Sequence, residues 1–244
     1  MKVLAFDSTA KSASVALTDG GRLLAEYTID NGLTQSELLL PMAEDMLRSL
    51  KLSFSDVELL AVSVGPGSFT GVRIGVSLVK GIAFGRNIPC ASVSTLEALA
   101  ENLAGISGVV VPVMDARRGE VYTAIFASSE DGVKRLTEDM AIPITRLAEM
   151  LREYVDTPIY LVGDGYYAAR RGLLSAGVRV ETTPELLLRE NAYSVATVGA
   201  RKYEAGEVLS DRELAPTYLR MPQAERERLE RERAAGGDKQ QSST

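Results

Sequence analysis

Gly65-Pro66-Gly67-Ser68-Phe69-Thr70-Gly71-Val72-Arg73 is the stretch on which the reading of this chain turns. It follows a short apolar run, Leu59 to Val64, and leads into residues with helical spacing. A strand, a glycine-rich turn and a helix in that order make a tight crossover. Such a turn can hold an anion at the helix N-terminus, or its glycines can simply let strand and helix pack closely; the second reading is favoured. The Gly-Lys-Ser/Thr ending of a phosphate loop is missing. Ser68 also lacks the G-x-S-x-G frame of a nucleophile elbow.

The chain has no histidine. That removes the commonest general base, the commonest metal ligand and the Ser-His and Cys-His nucleophile pairs. The site residues read here therefore include no catalytic group and no metal ligand, and no cofactor is expected. At 244 residues, 45% apolar and 25% charged, the sequence suits one large domain or two small lobes. A net charge of −6 gives no general attraction for nucleic acid. Cys90 is the single cysteine, so no disulfide forms within the chain, in keeping with a cytoplasmic location. It reads as a small buried hydrophobe. Met1 to Asp7 is too short an apolar run for a signal peptide, and no stretch approaches a membrane span.

Working outward, Val3 to Phe6 is a buried strand ending at Asp7. Ser14 to Thr18 and Leu23 to Ile29 read as two further strands around an Asp19-Gly20-Gly21 turn. Ser36 to Leu50 reads as a helix capped by Ser36, with Pro41 in its early turns. Phe69 to Gly85 is a helix, Cys90 to Val93 a strand, and Ser94-Thr95 caps a helix ending near Leu103. The second part repeats this pattern loosely. Val109 to Met114 ends in another acid, Asp115. Val121 to Ala127 is read as one strand, followed by helix, strand and helix over 144–154, 159–162 and 166–174. Asn191 to Ala205 is a late helix, and Arg212 to Met221 is extended. The expected division is an N-terminal lobe over 1–104 and a C-terminal lobe over 105–190. A helix and extended segment over 191–221 pack back on the first lobe, and 222–244 is a charged tail. Its alternating run Glu225 to Arg233 reads as a solvated extension rather than an RNA-binding arm.

Asp7 and Asp115 each end the first strand of a lobe. Paired acids of this kind suit the α/β fold of the actin, Hsp70 and sugar-kinase superfamily, with two related β-β-β-α-β-α lobes. There, tight turns aim backbone N–H groups at phosphate and carboxylates orient metal-bound water. Both turns here lack the glycine such a role uses: Thr9 stands two residues after Asp7, and Ala116 follows Asp115. An acid that merely closes its strand is the equal alternative. Gly163-Asp164-Gly165, between strand and helix, reads as a plain turn.

Two helices are apolar on more than one face. Leu39, Met42, Ala43 and Met46 of the first, with Gly71, Gly75, Val79 and Ile82 of the second, are the residues expected at an interface with another chain. Small residues on a stripe admit a close helix. Deep burial in one large core is the alternative.

Leu4-Ala5-Phe6-Asp7-Ser8-Thr9, Gly65 to Arg73, Val93-Ser94-Thr95-Leu96, Asp115 to Tyr122 and Pro216-Thr217-Tyr218-Leu219-Arg220 together resemble the TsaB family, also called YeaZ. The resemblance spans about residues 1–222. It implies a bacterial cytoplasmic, non-catalytic subunit needed for N6-threonylcarbamoylation of the adenosine beside the tRNA anticodon. It also implies the partners: a paralogue, TsaD, that carries metal and catalysis; TsaE, a small ATPase; tRNA met through the complex; and a homodimer when alone. TsaD carries an H-x-x-x-H motif, which a chain without histidine cannot supply. Asp7, Ser68, Thr70, Arg73, Asp115, Arg117 and Glu120 are then the motif residues of a degenerate nucleotide site. Gln35 departs from the histidine frequent in relatives. The rival function is a small ATPase or kinase-like enzyme using Asp7 and Asp115 with magnesium.

Overall fold

The computed structural model describes residues 1–220; the stretch expected as a charged tail, 222–244, lies outside the described residues. Three antiparallel strands open the chain: β1 (Lys2–Asp7), β2 (Ala13–Asp19) and β3 (Arg22–Ile29). Gly20 and Gly21 have φ of 56° and 81°, the left-handed pair that a two-residue hairpin turn needs. Then follow α1 (Gln35–Ser49), β4 (Leu59–Gly65), α2 (Phe69–Ala83), β5 (Cys90–Ser94) and α3 (Thr95–Glu101). The first sheet has the order β3-β2-β1-β4-β5, with β4 parallel to β1 and β5. α1 begins one residue earlier than expected, with Thr34 rather than Ser36 in the capping position and no side-chain cap. Ser94 does cap α3, accepting from the Glu97 amide.

The second lobe contains β6 (Gly108–Arg117), β7 (Glu120–Thr123), β8 (Phe126–Ser129), β9 (Gly132–Arg135), β10 (Met140–Pro143), α4 (Ile144–Leu151), β11 (Ile159–Val162) and α5 (Tyr166–Ser175). The single strand expected over 121–127 is split into β7 and β8. Both halves pair with β6 in one register, Val113 opposite Thr123 and Val110 opposite Phe126. At the break, Leu136 and Thr137, between β9 and β10, both donate to the Ile125 carbonyl. β11 runs parallel to β6 on its other side. Each lobe thus has an antiparallel unit extended by parallel strands, β4 and β5 in the first and β11 in the second. This is the two-lobed actin/Hsp70/sugar-kinase-like α/β fold.

Strand alternation sorts the side chains into layers. Leu4, Phe6, Leu60 and Val62 face α1 and α2, while Val3, Ala5, Leu59 and Ala61 face α6 (Ala192–Glu204). Alanines on this second face let α6 come close. A Cβ on Gly199 would lie 2.6 Å from the Ala61 methyl. α3 lies between the lobes: Leu96, Leu99 and Leu103 pack with Val110, Met114, Phe126 and Val162 of the second. Cys90 is buried under α2, and burial pushes its thiol up to about 11.

The residues expected at an interface with another chain are covered by this chain itself. Leu39, Met42, Ala43, Met46, Gly71, Gly75, Val79 and Ile82 are all buried within the first lobe. The close neighbour of the two glycines is no partner helix but the turn after β1. A Cβ on Gly71 would overlap the Ser8 carbonyl oxygen, and one on Gly75 would lie 2.5 Å from Ser8 Oγ. α1 and α2 were apolar on two faces because they pack on the sheet and on each other.

The chain returns from the second lobe through 188–191, a crossing dense in polar contacts. Asn102 Nδ2 donates to the Leu187 and Arg189 carbonyls, and Asn102 Oδ1 accepts from Asn191 and Ser194. Glu190 is buried here, and its Oε1 has no hydrogen-bond partner. Burial, with Asp7 and Asp164 adding repulsion, pushes its carboxyl up to about 8.

Two predictions follow from this packing. Gly71→Ala should cost about 1–3 kcal/mol or more by driving the Ser8 turn away. Gly81→Ala, on the same helix with nothing near its Cβ position, should stabilise by about 0.5–1 kcal/mol; urea melts of both variants measure the contrast. Between its unfolded value of 4.5 and about 8, Glu190 keeps a proton that the unfolded chain releases. Stability should therefore be full below that window, fall as pH rises through it, and level off above. The fall is on the order of a few kcal/mol. Denaturation curves from pH 4 to 9 should be flatter for Glu190→Gln; equal slopes in the two proteins contradict the assignment.

Candidate functional site: the cleft between the lobes

The two first-strand turns face each other across a cleft of about 570 Å³. One wall comes from Thr9, Ala10, Lys11 and the start of α2, Pro66 to Thr70. The other comes from Met114 to Arg117, Tyr122 and Asp164. Thr217 to Arg220 lie along the mouth.

The first-lobe wall is backbone packed on backbone. Ser68 N donates to the Thr9 carbonyl at 2.7 Å, and a Cβ on Gly67 would lie 2.5 Å from that same oxygen. Gly67, with φ of 156°, is the residue type that this contact allows. Ser68 caps α2, its Oγ accepting from the Gly71 amide at 3.2 Å. The turn's glycines thus admit the close approach of the Ser8-Thr9 turn.

Asp7 does not reach the cleft. It is buried, and both carboxylate oxygens are engaged inside the lobe. Oδ1 accepts from Thr9 N at 2.9 Å and from Thr9 Oγ1 at 2.8 Å, and Oδ2 accepts from Ser63 Oγ. Burial raises its carboxyl above the ordinary range, against the lowering effect of these three bonds. The residue that replaces the expected glycine, Thr9, is the one that occupies the Asp7 carboxylate.

Asp115 is exposed on the opposite wall. Its Oδ1 accepts from Arg117 N at 2.7 Å, and its own amide donates to Asp164 Oδ1 at 3.0 Å. Arg117, Arg118 and Gly119 all have positive φ, forming the hairpin tip between β6 and β7. Gly165 N donates to the Val113 carbonyl, and a Cβ on Gly165 would lie 2.9 Å from that oxygen. Gly163-Asp164-Gly165 is thus a turn held against β6.

Ser68, Thr70, Asp115 and Arg117 share the cleft. Arg73 and Glu120 are joined to it by the C-terminal segment. Arg73 Nε donates to Tyr218 Oη at 2.7 Å, and Glu120 forms an ion pair with Arg220. Sequence reasoning did not name Lys11 or Glu190 for the site, and it had Tyr122 only within the family phrase Asp115 to Tyr122. Glu190 carries no local signal, because its burial comes from the return of the chain between the lobes. Gln35 Nε2 donates to the Ala10 carbonyl at 2.9 Å, tying α1 to the β1–β2 turn.

Beside the cleft, α1 and α2 enclose a second groove of about 510 Å³, open to solvent. Leu39, Leu40, Phe69, Ile74 and Leu78 give it an apolar floor, and Ser36, Thr70, Arg73 and Ser77 form its rim. Phe69, Thr70 and Gln35 line both groove and cleft. Among the described residues, no group of three or more acidic or cysteine side chains is arranged to hold a metal ion. No helix there is long and apolar enough to cross a membrane.

The model of the family described as "TsaD: tRNA N6-adenosine threonylcarbamoyltransferase" matches residues 34–227. The "tRNA threonylcarbamoyladenosine biosynthesis protein TsaB" of Bacillus subtilis is 30% identical over 94% of this chain and 99% of its own length. The protein of that name from Escherichia coli is 31% identical over 90% of this chain and 95% of its own. The solved structure "YeaZ from Pseudomonas aeruginosa" superimposes with a TM-score of 0.75 at 27% identity, covering 89% of this chain and 99% of that one. With relatives of that name at least 30% identical and matched almost end to end, the chain belongs to the TsaB (YeaZ) family.

Proposed function

We propose that this protein is the non-catalytic pairing subunit of a tRNA threonylcarbamoyladenosine-forming complex. The observation that carries the reading is similarity over almost the full length to relatives named for that pathway. Its catalytic partner is a TsaD-type paralogue, and the α1/α2 groove is the docking surface. An apolar groove of this size, rimmed by polar side chains, is the kind of exposed patch that marks a protein interface. The inward-facing residues named from sequence support the groove from beneath. Leu40, Ile74, Ser77 and Leu78 meet the partner. A TsaE-type ATPase joins the pair, tRNA is reached through the assembly, the free protein pairs with itself, and the complex works in the cytoplasm.

Three features support a non-catalytic role. The chain has no imidazole. Asp7 spends both oxygens on its own lobe. The Ser68 amide at the start of α2 is taken up by the Thr9 carbonyl. Asp7, Ser68, Thr70, Arg73, Asp115, Arg117 and Glu120 then keep structural roles from an ancestral nucleotide site. The ATPase reading needs a carboxylate free to orient metal-bound water, and Asp7 is committed elsewhere.

Leu40→Glu and Ser77→Glu should each weaken pairing with the paralogue at least about tenfold by placing a charge in an apolar contact. Both should melt like the parent protein; size-exclusion chromatography and calorimetry read the difference, and parental affinity in both removes the groove from the interface. In a reconstituted modification assay scored by nucleoside mass spectrometry, Asp115→Ala should retain substantial activity. ATP with magnesium should bind the isolated subunit more weakly than micromolar; tight binding together with turnover lost in Asp115→Ala restores the enzyme reading.

A further inference from the structure

The segment after α6 crosses both the groove helix and the cleft. Lys80 Nζ on α2 donates to the Arg212 carbonyl at 3.2 Å and the Leu214 carbonyl at 2.9 Å, and Leu214 is fully buried in the first core. Thr217 N donates to the Val64 carbonyl at 2.8 Å. The Thr217 carbonyl lies where a Cβ on Gly65 would come within 2.5 Å, so Gly65 (φ 117°) is the residue that admits it. Tyr218 then stacks on Phe69 with ring centroids 5.0 Å apart. The Arg73 guanidinium lies 3.9 Å from the Phe69 centroid and bonds the Tyr218 hydroxyl. Two residues on, Arg220 has crossed to the second lobe. It pairs with Glu120 and lies 6.0 Å from the Tyr122 ring.

Phe69 and Arg73 line the α1/α2 groove, and Tyr218 and Arg220 line the cleft. The same stack is therefore a wall of one and an anchor of the other. We propose that residues 216–220 form a strap whose latch, Arg220 on Glu120, couples the cleft to the groove through the Tyr218–Phe69–Arg73 stack. When the latch is closed, the stack holds Phe69 and Arg73 in one arrangement. When it opens, the ring of Tyr218 and its hydroxyl leave together, and the groove loses a fixed wall. An ordered groove costs less to dock on than one that must be ordered on binding. Because coupling is reciprocal, a partner in the groove also tightens the strap.

Hydrogen exchange on the full chain, free and with the paralogue, tests this. Glu120→Gln removes the latch on the second lobe, away from the groove. It should speed exchange of the Thr217 amide roughly three- to fivefold, the size of an effect expected for a partly exposed ion pair. The Gly71 and Val72 amides, which bond Ser68, should speed with it, while the strands β1 and β4 keep their protection. Tyr218→Phe should free Gly71 and Val72 without releasing Thr217, and Glu120→Arg with Arg220→Glu should restore the parental pattern. The second arm, which rests on the docking reading above, is pairing affinity: it should fall by a similar factor in Glu120→Gln and recover in the charge swap. A strap that loosens while Gly71, Val72 and pairing stay unchanged overturns the coupling, as does a strap that does not loosen at all. If the parent protein fails to pair, the docking reading falls, and the exchange of Gly71 and Val72 still decides the coupling.

Discussion

The contact on which the first lobe depends is between two turns: the one after β1, Ser8-Thr9, and the one before α2, Gly65 to Gly71. Their backbones meet at hydrogen-bonding distance, with Ser68 N on the Thr9 carbonyl and Gly71 against the Ser8 carbonyl. No side chain larger than hydrogen fits at Gly67 or Gly71 without moving one of the turns. This contact fixes the start of α2, and α2 in turn carries the groove, the Lys80 anchor and the Phe69–Arg73 platform. Much of the protein's outward chemistry is thus hung on a junction with no reactive group in it.

The same junction governs the electrostatics. In a cleft built for phosphate, turn amides point outward and the first-strand acid faces a metal. Here the Ser68 amide and the Asp7 carboxylate are consumed within the protein. Desolvation raises both Asp7 and Glu190, buried acids that lie outside the lining of the cleft. Polar groups buried in this way contribute a fixed shape and a dependence on pH.

The lobes are joined by more than a hinge. α3 and the turn after it contribute Leu96, Leu99 and Leu103 to a core shared with the second sheet. Ser94 Oγ and Arg135 both bond Asp139, and Arg135 also pairs with Glu97, which braces β5 and α3 against the second lobe. The Asn102 contacts hold the return crossing, and the strap closes the opposite side. The two lobes are thus braced at several points around the cleft.

The sequence by itself determined the layers of this protein. Strand alternation, the two acids ending strands and the Gly65–Arg73 phrase were enough for the lobes, the crossover and the family, because these signals are local and repeat with the period of the backbone. The absence of histidine settled a chemical limit by composition alone. The tertiary structure decided which apolar face pointed where. Gly71 and Gly75 made a small-residue stripe in sequence, but what it admits is a turn from more than sixty residues earlier, and no periodicity names the neighbour. Glu190 looked like any surface glutamate until the return of the chain buried it beside Asp7 and Asp164. Arg220 and Glu120 lie far apart in the sequence and meet across the cleft only when both lobes are in place. Local pattern sets which residues are buried; only the closed fold sets what they are buried against, because that depends on contacts whose partners are distant along the chain.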